Sequence, residues 1–368
     1  MDEKYIDEHF EFLVKNQERL KTDEKLVRET LASHLLHIPK KLYKYRMCNR
    51  QNFKAIKDKK IYMPCANDFK DPFDYTLNFD LSKQTEELER FFKEHIDQMA
   101  FIGIQGLLKK VGVKYNKFTL EDVKFVKENY FLEDGTCLEE KFEKEIVSKG
   151  TSIDISLYKR AKEFISTFVK DNESKIHEMA ESMAEKINEM SRHPREKSLV
   201  YCMTEDNSCG PMWENYAGGY SGFCIEYDFS NWEDKPFDEI KNLIYLLPVI
   251  YLKEKPIFNM EPFFELSTKQ HVFGEKLGKN IPLQIDLNKQ LLRKQSDYDY
   301  EKEWRFAIKN EGNHLQPFSF VSAIYMGKDI LEKDIIHLKV VAKKLKVPLY
   351  KQTLNYFGNE FKYEEVYL

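Results

Sequence analysis

No stretch of this 368-residue chain comes near the roughly 18 consecutive apolar residues that a membrane-spanning helix needs. The opening MDEKYIDEHFEF is acidic and holds no apolar core of the kind a secretory leader carries. The expectation is a soluble, cytoplasmic protein with no membrane among its partners. Cysteine is sparse, six residues at 48, 65, 137, 202, 209 and 224 with no CxxC pair. That speaks against a disulfide framework and fits a reducing compartment. The histidines are scattered, with no HExxH and no Cys/His cluster at ligand spacing, so no metal is expected. An excess of one charge is lacking too. Lys and Arg number 58 against 62 Asp and Glu, a net charge of −4. This argues against a generally basic nucleic-acid surface, although a local patch stays compatible with it.

Aromatic residues are abundant. Twenty-seven Phe and 21 Tyr in a chain that is 42% hydrophobic are enough for a sizeable aromatic core. Residues 3–36 read as helix, with Ile6, Phe10, Leu13 and Val14 at three- and four-residue steps and Pro39 as the stop. Residues 42–46 and 61–63 read as short strands around a helix at 50–59, followed by loop signals from Pro64 to Pro72. From 83 to 192 nearly everything reads as helix. Its amphipathic faces run through Leu88, Phe91, Phe92, His95, Ile96 and Met99, then Phe164, Ile165, Phe168 and Val169, then Ile176, Met179, Met183 and Ile187. Strands are expected again at 199–204, 223–227, 247–252, 303–309, 321–326 and near 361–367, with helices at 211–217 and 330–345. Strands on both sides of a helical block predict one α+β sheet domain interrupted by an insertion. The expected boundaries are a helical segment at 1–39, a core at 40–82 plus 193–368, and a helical insertion at 83–192. The insertion reads as a bundle with solvated charged faces, placed to serve as a lid or a protein-binding surface.

Four segments bring polar groups to strand ends. In Tyr43-Lys44-Tyr45-Arg46, the tyrosines share one face and the cations the other. Arg46 offers a forked donor set suited to phosphate or carboxylate, or a structural ion pair with Asp71 or Asp74. Asn67 to Asp74 misses the EF-hand spacing; its Asp and Asn side chains read as turn caps, with Phe69 and Phe73 as anchors. Thr204 closes a strand ahead of Trp213, Tyr216 and Tyr220, which could wall a flat ring or belong to the core. Gly218-Gly219-Tyr220-Ser221-Gly222 lacks the GxGxxG spacing and reads as a tight turn. The fourth segment, Tyr298 to Arg305, puts Glu301, Glu303 and Arg305 on one face of an extended chain. Its two carboxylates would stand about 7 Å apart at roughly 3.3 Å per residue. Buried together they would push one pKa up, as acid–base work requires. The alternative is a solvated charged edge on which Arg305 pairs with its neighbours.

Taken in order, LYKYR, IYMPCANDFKDPFD, VYCMTEDNSCGPMWENYAGGYSGFCIEYD and KQSDYDYEKEWRF resemble the DUF2971 family, across roughly residues 41–80 and 196–330. Tyr298 stands where that family usually has Trp. The family has no settled activity, so the resemblance implies organisation before mechanism. A weaker resemblance is to ADP-ribosyltransferases of the arginine–serine–glutamate type, which carry an Arg, a Ser/Thr-rich end and an E-x-E pair on three successive strands. Arg46, Thr204 and Glu301-Lys302-Glu303 match in order, with Cys-Met-Thr in place of Ser-Thr-Ser. That resemblance implies a split mixed or antiparallel sheet and NAD as substrate. It gives Arg46 the pyrophosphate and Thr204 the nicotinamide riboside, with Tyr43, Trp213 and Tyr216 as further NAD contacts. It gives Glu303 the ribose 2′-hydroxyl and the transition state, and Glu301 a protein or nucleic-acid acceptor. It suggests a toxin or phage-defence effector. The competing expectation is a non-enzymatic sensor or adaptor that binds a protein partner through the insertion.

Overall fold

A computed structural model describes residues 3–110, 118–132, 136–147, 152–169, 173–259, 281–355 and 360–368. The chain divides into two compact units. The first gathers Met1–Leu77, Arg192–Pro256 and Gln284–Leu368; the second holds Asn78–Ser191 and Ile257–Leu283.

The first unit is built on one eight-stranded mixed sheet. In chain order its strands are β1 (Lys41–Arg46), β3 (Ser198–Thr204), β4 (Phe223–Asp228), β5 (Leu247–Pro248), β8 (Glu303–Lys309), β10 (Val321–Met326), β11 (Leu349–Asn355) and β12 (Glu360–Glu365). Their spatial order is β12-β11-β10-β4-β1-β3-β8-β5. Only β10 and β11 run parallel; the other neighbours are antiparallel. Two small ladders accompany it: β2 (Lys60–Tyr62) with β9 (Leu315–Pro317), and β6 (Ile250–Leu252) with β7 (Arg293–Gln295).

Alternation along the strands divides the side chains between two faces. Leu42, Leu199, Tyr201, Met203, Trp304 and Phe306 enter the main core, together with Ile6, Phe10, Val27 and Leu31 from the N-terminal helices. The segment 1–39 is therefore part of the sheet's own core and not a separate piece. Nor is it one helix. Glu3–Asn16 and Glu24–His34 are separated by a 3-10 turn at Arg19–Lys21, and the second helix is capped by Asp23, which accepts from the Leu26 amide at 3.0 Å. β11 is an element the sequence reading does not contain, and the closing strand ends at Glu365.

Among the described residues the α-helices of the second unit are Leu81–Glu94, Ile96–Lys110, Leu120–Tyr130, Glu139–Phe142, Ser152–Val169 and Glu173–Met190. A core of Ala100, Ile104, Val123, Val126, Tyr130, Phe142, Leu157, Ala161 and Ile165 holds the middle ones together. On Glu173–Met190 the buried stripe is Ile176, Ala180, Ala184 and Ile187, while Met179 and Met183 are exposed, one position off the expected face. The side chains of Phe168 and Val169 lie outside the described residues.

Candidate functional site

The strands that carry Tyr43, Thr204 and Glu303 are immediate neighbours, and these three residues form one rung. Tyr43 stands opposite Thr204, and Thr204 opposite Glu303. Residues directly paired across antiparallel strands project to the same face. The rung therefore lies on the face away from the main core, with Tyr45, Cys202 and Arg305 beside it. Thr204 is almost fully buried. The short helix Gly210–Tyr216 adds Trp213, whose ring meets Tyr45 edge-on at 5.1 Å and whose indole N–H donates to the Asn207 carbonyl at 2.9 Å. Trp213 is completely buried, so it is core and not an open wall. After this helix the backbone turns through Gly218, Gly219 and Tyr220, all at positive φ. Gly222 closes the turn where an added Cβ would stand 2.3 Å from the Arg46 carbonyl oxygen.

Next to the rung lies a buried cluster of charges. Lys294, from β7, places its ammonium 2.5 Å from Glu301 Oε2, 3.2 Å from Glu303 Oε2 and 3.5 Å from Asp74 Oδ2. The Arg305 guanidinium bonds Glu303 Oε1 at 2.9 Å and both Asp74 oxygens, at 2.9 and 3.3 Å. Tyr216 donates to Glu301 Oε1 at 2.7 Å, and the Glu303 amide donates to the Tyr251 hydroxyl at 2.9 Å. All five charged groups are buried, so the solvated charged edge is excluded. Nor is Glu301 part of the strand. It ends a 3-10 turn, Ser296–Glu301; Lys302 then adopts φ +42°, and β8 begins at Glu303. The two carboxylates meet through Lys294 and not through strand spacing.

The environment separates the two carboxylates. Burial pushes the Glu301 carboxyl up; the nearby Lys294 ammonium opposes this without cancelling it. Burial acts on Glu303 too, but there Arg305 and then Lys294 outweigh it and hold the carboxyl below the usual range. Asp74 is likewise held low, burial being overcome first by Arg305. Fully ionised, three carboxylates against two cations leave one net negative charge. Glu301 is the member that most readily takes a proton to remove it. Its partner Tyr216 is 38% exposed.

Arg46 does not join this site. Its side chain lies on the opposite face of the sheet, where its Nη2 donates to the Tyr62 carbonyl at 2.9 Å and its guanidinium rests 5.5 Å from the centre of the Tyr201 ring. Its neighbour Lys44 lies on that face too, and burial, then the Arg46 charge, pushes its ammonium down to about 8. The expected pairing of Arg46 with Asp71 or Asp74 is absent, because Asp74 serves Arg305 and Lys294. In the loop at 67–74, Asp71 caps the Phe73 amide at 2.8 Å, but Phe73 is exposed and Tyr75 is the buried anchor. Arg195 holds the loop's backbone, donating to the Asp71 and Asp74 carbonyls at 2.7 and 2.8 Å. Among the described residues no group of His, Cys, Asp and Glu is arranged to hold a metal ion. No helix among them is long and apolar enough to cross a membrane.

Lys294 and Tyr251 were not legible as site residues. Lys294 stands two residues after the apolar Leu291-Leu292, with Arg293 between, the one hint that its strand is buried. Residues 212–306 match the family model of DUF2971, a protein family of unknown function. The match takes in Trp213, Tyr216, Lys294, Glu301, Glu303 and Arg305, and leaves Tyr43, Arg46, Asp74 and Thr204 outside. No curated protein and no solved structure matches the chain.

Proposed function

We propose that the chain is an enzyme that cleaves the N-glycosidic bond of NAD and transfers ADP-ribose, with Glu301 as its acid–base group. The observation that carries this reading is the division of labour between two carboxylates on one ammonium. Glu303 is kept as an anion by Arg305 and Lys294, while Glu301 is biased toward its protonated form and bonded to the half-exposed Tyr216. Glycosyl transfer asks for such a pair, a fixed negative field for a cationic sugar-like transition state and a titrating group for the acceptor's proton. The C1′–N bond breaks and its electron pair leaves with nicotinamide. The acceptor forms the new bond and gives its proton to Glu301 in its ionised form, whose raised proton affinity suits it as the base. In this reading Glu303 acts as a fixed charge and not as a ribose partner, since both its oxygens are taken. Arg46 has no part in it.

A second reading has its own observation. Both oxygens of Asp74 and both of Glu303 are satisfied by cations of the same fold, as in an internal brace. The chain would then act by binding alone. Nicotinamide release and labelled ADP-ribose incorporation, measured in cell lysate as the acceptor source, separate the two. The enzyme reading expects Glu301→Gln to lose about 10²–10⁴ in rate and Arg46→Ala to stay close to wild type. No release from the wild-type protein, or equal release from Glu301→Gln, removes the enzyme reading.

A further inference from the structure

On the core face of the sheet the helix Arg50–Lys57 stacks Phe53 on Phe223 of β4, ring centres 5.8 Å apart, and packs against Glu332–Leu345. Phe53 meets His337 with ring centres 5.4 Å apart, and Lys344 reaches Asp58 at 3.7 Å. These two contacts make the helices parallel, with their C-terminal ends side by side. The sequence loads those ends with cations. Residues 50–60 contain five Lys and Arg and a single carboxylate, Asp58; residues 339–346 contain four Lys and none. Arg50, Lys54 and Lys57 on one helix and Lys343 and Lys344 on the other are exposed. Just past each helix a lysine takes positive φ, Lys59 at +53° after the cap Asp58 and Lys346 at +59° as the cap itself, where glycine is the residue of least strain. The chain thus accepts unfavourable backbone at two adjacent helix ends and sets a cation at each. All this stands in a protein whose net charge is −4.

We infer that this two-helix face binds the phosphate backbone of duplex nucleic acid, independently of what the carboxylate site does. The chemistry favours a polyanion, since the one carboxylate of the patch is already shared with Lys344. The spacing favours a duplex. Lysines three or four residues apart recur about every 5–6 Å along a helix, and packed helices lie about 8–10 Å apart. Two such rows suit two rows of phosphates facing each other across a groove roughly 6–12 Å wide. The exposed apolar surface here, Ile336 and Val340 with about half their area free, offers little to insert into a lipid layer. Contacts of this kind position a duplex without reading its sequence.

The probe is a fluorescein-labelled 24-base-pair DNA of random sequence, titrated with the full chain and followed by anisotropy from 50 to 200 mM salt. Binding should weaken with a slope of log K against log salt of about −4, for about four phosphates neutralised. The variant Lys54→Gln, Lys57→Gln, Lys343→Gln, Lys344→Gln should bind at least about 30-fold more weakly at the lowest salt and lose most of that slope. A control that removes four exposed lysines elsewhere, at Lys4, Lys25, Lys253 and Lys309, should bind within about twofold of wild type. Equal losses in the two variants overturn the inference. So does binding that ignores salt, or the absence of DNA binding beside capture of anionic phosphatidylserine vesicles or of polyglutamate.

Discussion

Asp74 and Arg305, 231 residues apart in the chain, face each other as a two-pronged pair, Nη1 on Oδ1 at 2.9 Å and Nη2 on Oδ2 at 3.3 Å. Both are buried, and the backbone of the Asp74 loop is held independently by Arg195. The pair thus joins the loop before the second unit to the strand that begins with Glu303. Replacing Asp74 takes from the buried Arg305 its two-pronged partner and leaves it Glu303 alone, and breaking such a buried pair costs about 3–5 kcal/mol. Asp74→Asn should lower the urea midpoint by that amount of stability. A loss below about 1 kcal/mol would show that Arg305 does not depend on Asp74.

Tyr216→Phe removes the hydroxyl that bonds Glu301, one of the groups restraining the rise of that carboxyl. The Glu301 pKa is raised in the fold, so its ionisation costs stability as pH climbs through the folded value. Without Tyr216 that cost grows, by about 1 kcal/mol for one lost hydrogen bond. Urea midpoints of variant and wild type should differ more at pH 8 than at pH 4.5. A difference independent of pH would take Tyr216 out of the titration.

His9 and His34 stack with ring centres 4.0 Å apart between the two N-terminal helices. His34 Nε2 donates to the Leu246 carbonyl at 2.9 Å, which leaves Nδ1 to accept the Tyr5 hydroxyl at 2.8 Å. Burial, then the neighbouring His9, pushes His34 down to about 3, and burial lowers His9 as well. Both are neutral in the fold, so below about pH 6.5 the unfolded chain binds more protons. Stability should fall from pH 6.5 toward 3, by up to about 1.4 kcal/mol per pH unit for His34 alone. His34→Gln should flatten that slope between pH 6.5 and 5; an unchanged slope would assign it to other groups.

Gly222 sits where the turn after the Gly210–Tyr216 helix meets the end of β1, and an added Cβ would stand 2.3 Å from the Arg46 oxygen and 2.7 Å from that of Ala217. Both contacts are backbone, so neither can step aside cheaply. Gly222→Ala should cost about 1–3 kcal/mol. Gly312→Ala offers a contrast, with open space for its Cβ but strain from its φ of +85°. Thermal melts of the pair separate crowding from conformational strain.

Much of the secondary structure was legible in the chain. The alternation in Glu303 to Phe306 sends Trp304 and Phe306 into the core and Glu303 and Arg305 to the other face, as their spacing alone requires. The parity of Tyr43-Lys44-Tyr45-Arg46 already held the separation of Arg46 from Tyr43. What it did not hold was which parity faces Glu303, because that depends on β1 pairing with β3 at Tyr43 opposite Thr204, and β3 with β8 at Thr204 opposite Glu303. The helical stretch after residue 83 was equally plain, yet Met179 and Met183 proved exposed, since Ala180 and Ala184 allow closer packing than the methionines would.

The sequence by itself determined the alternation, the helical periodicities, the turn at Gly218 to Gly222 and the two lysine-rich helix ends, all set by interactions between residues a few positions apart. Only the tertiary structure decided that Lys294 sits between Glu301 and Glu303, that Asp74 answers Arg305, and which carboxyl burial pushes up. Burial and long-range pairing control those outcomes, and neither leaves a local trace. A buried lysine and a solvated one are spelled alike until the strands around them meet.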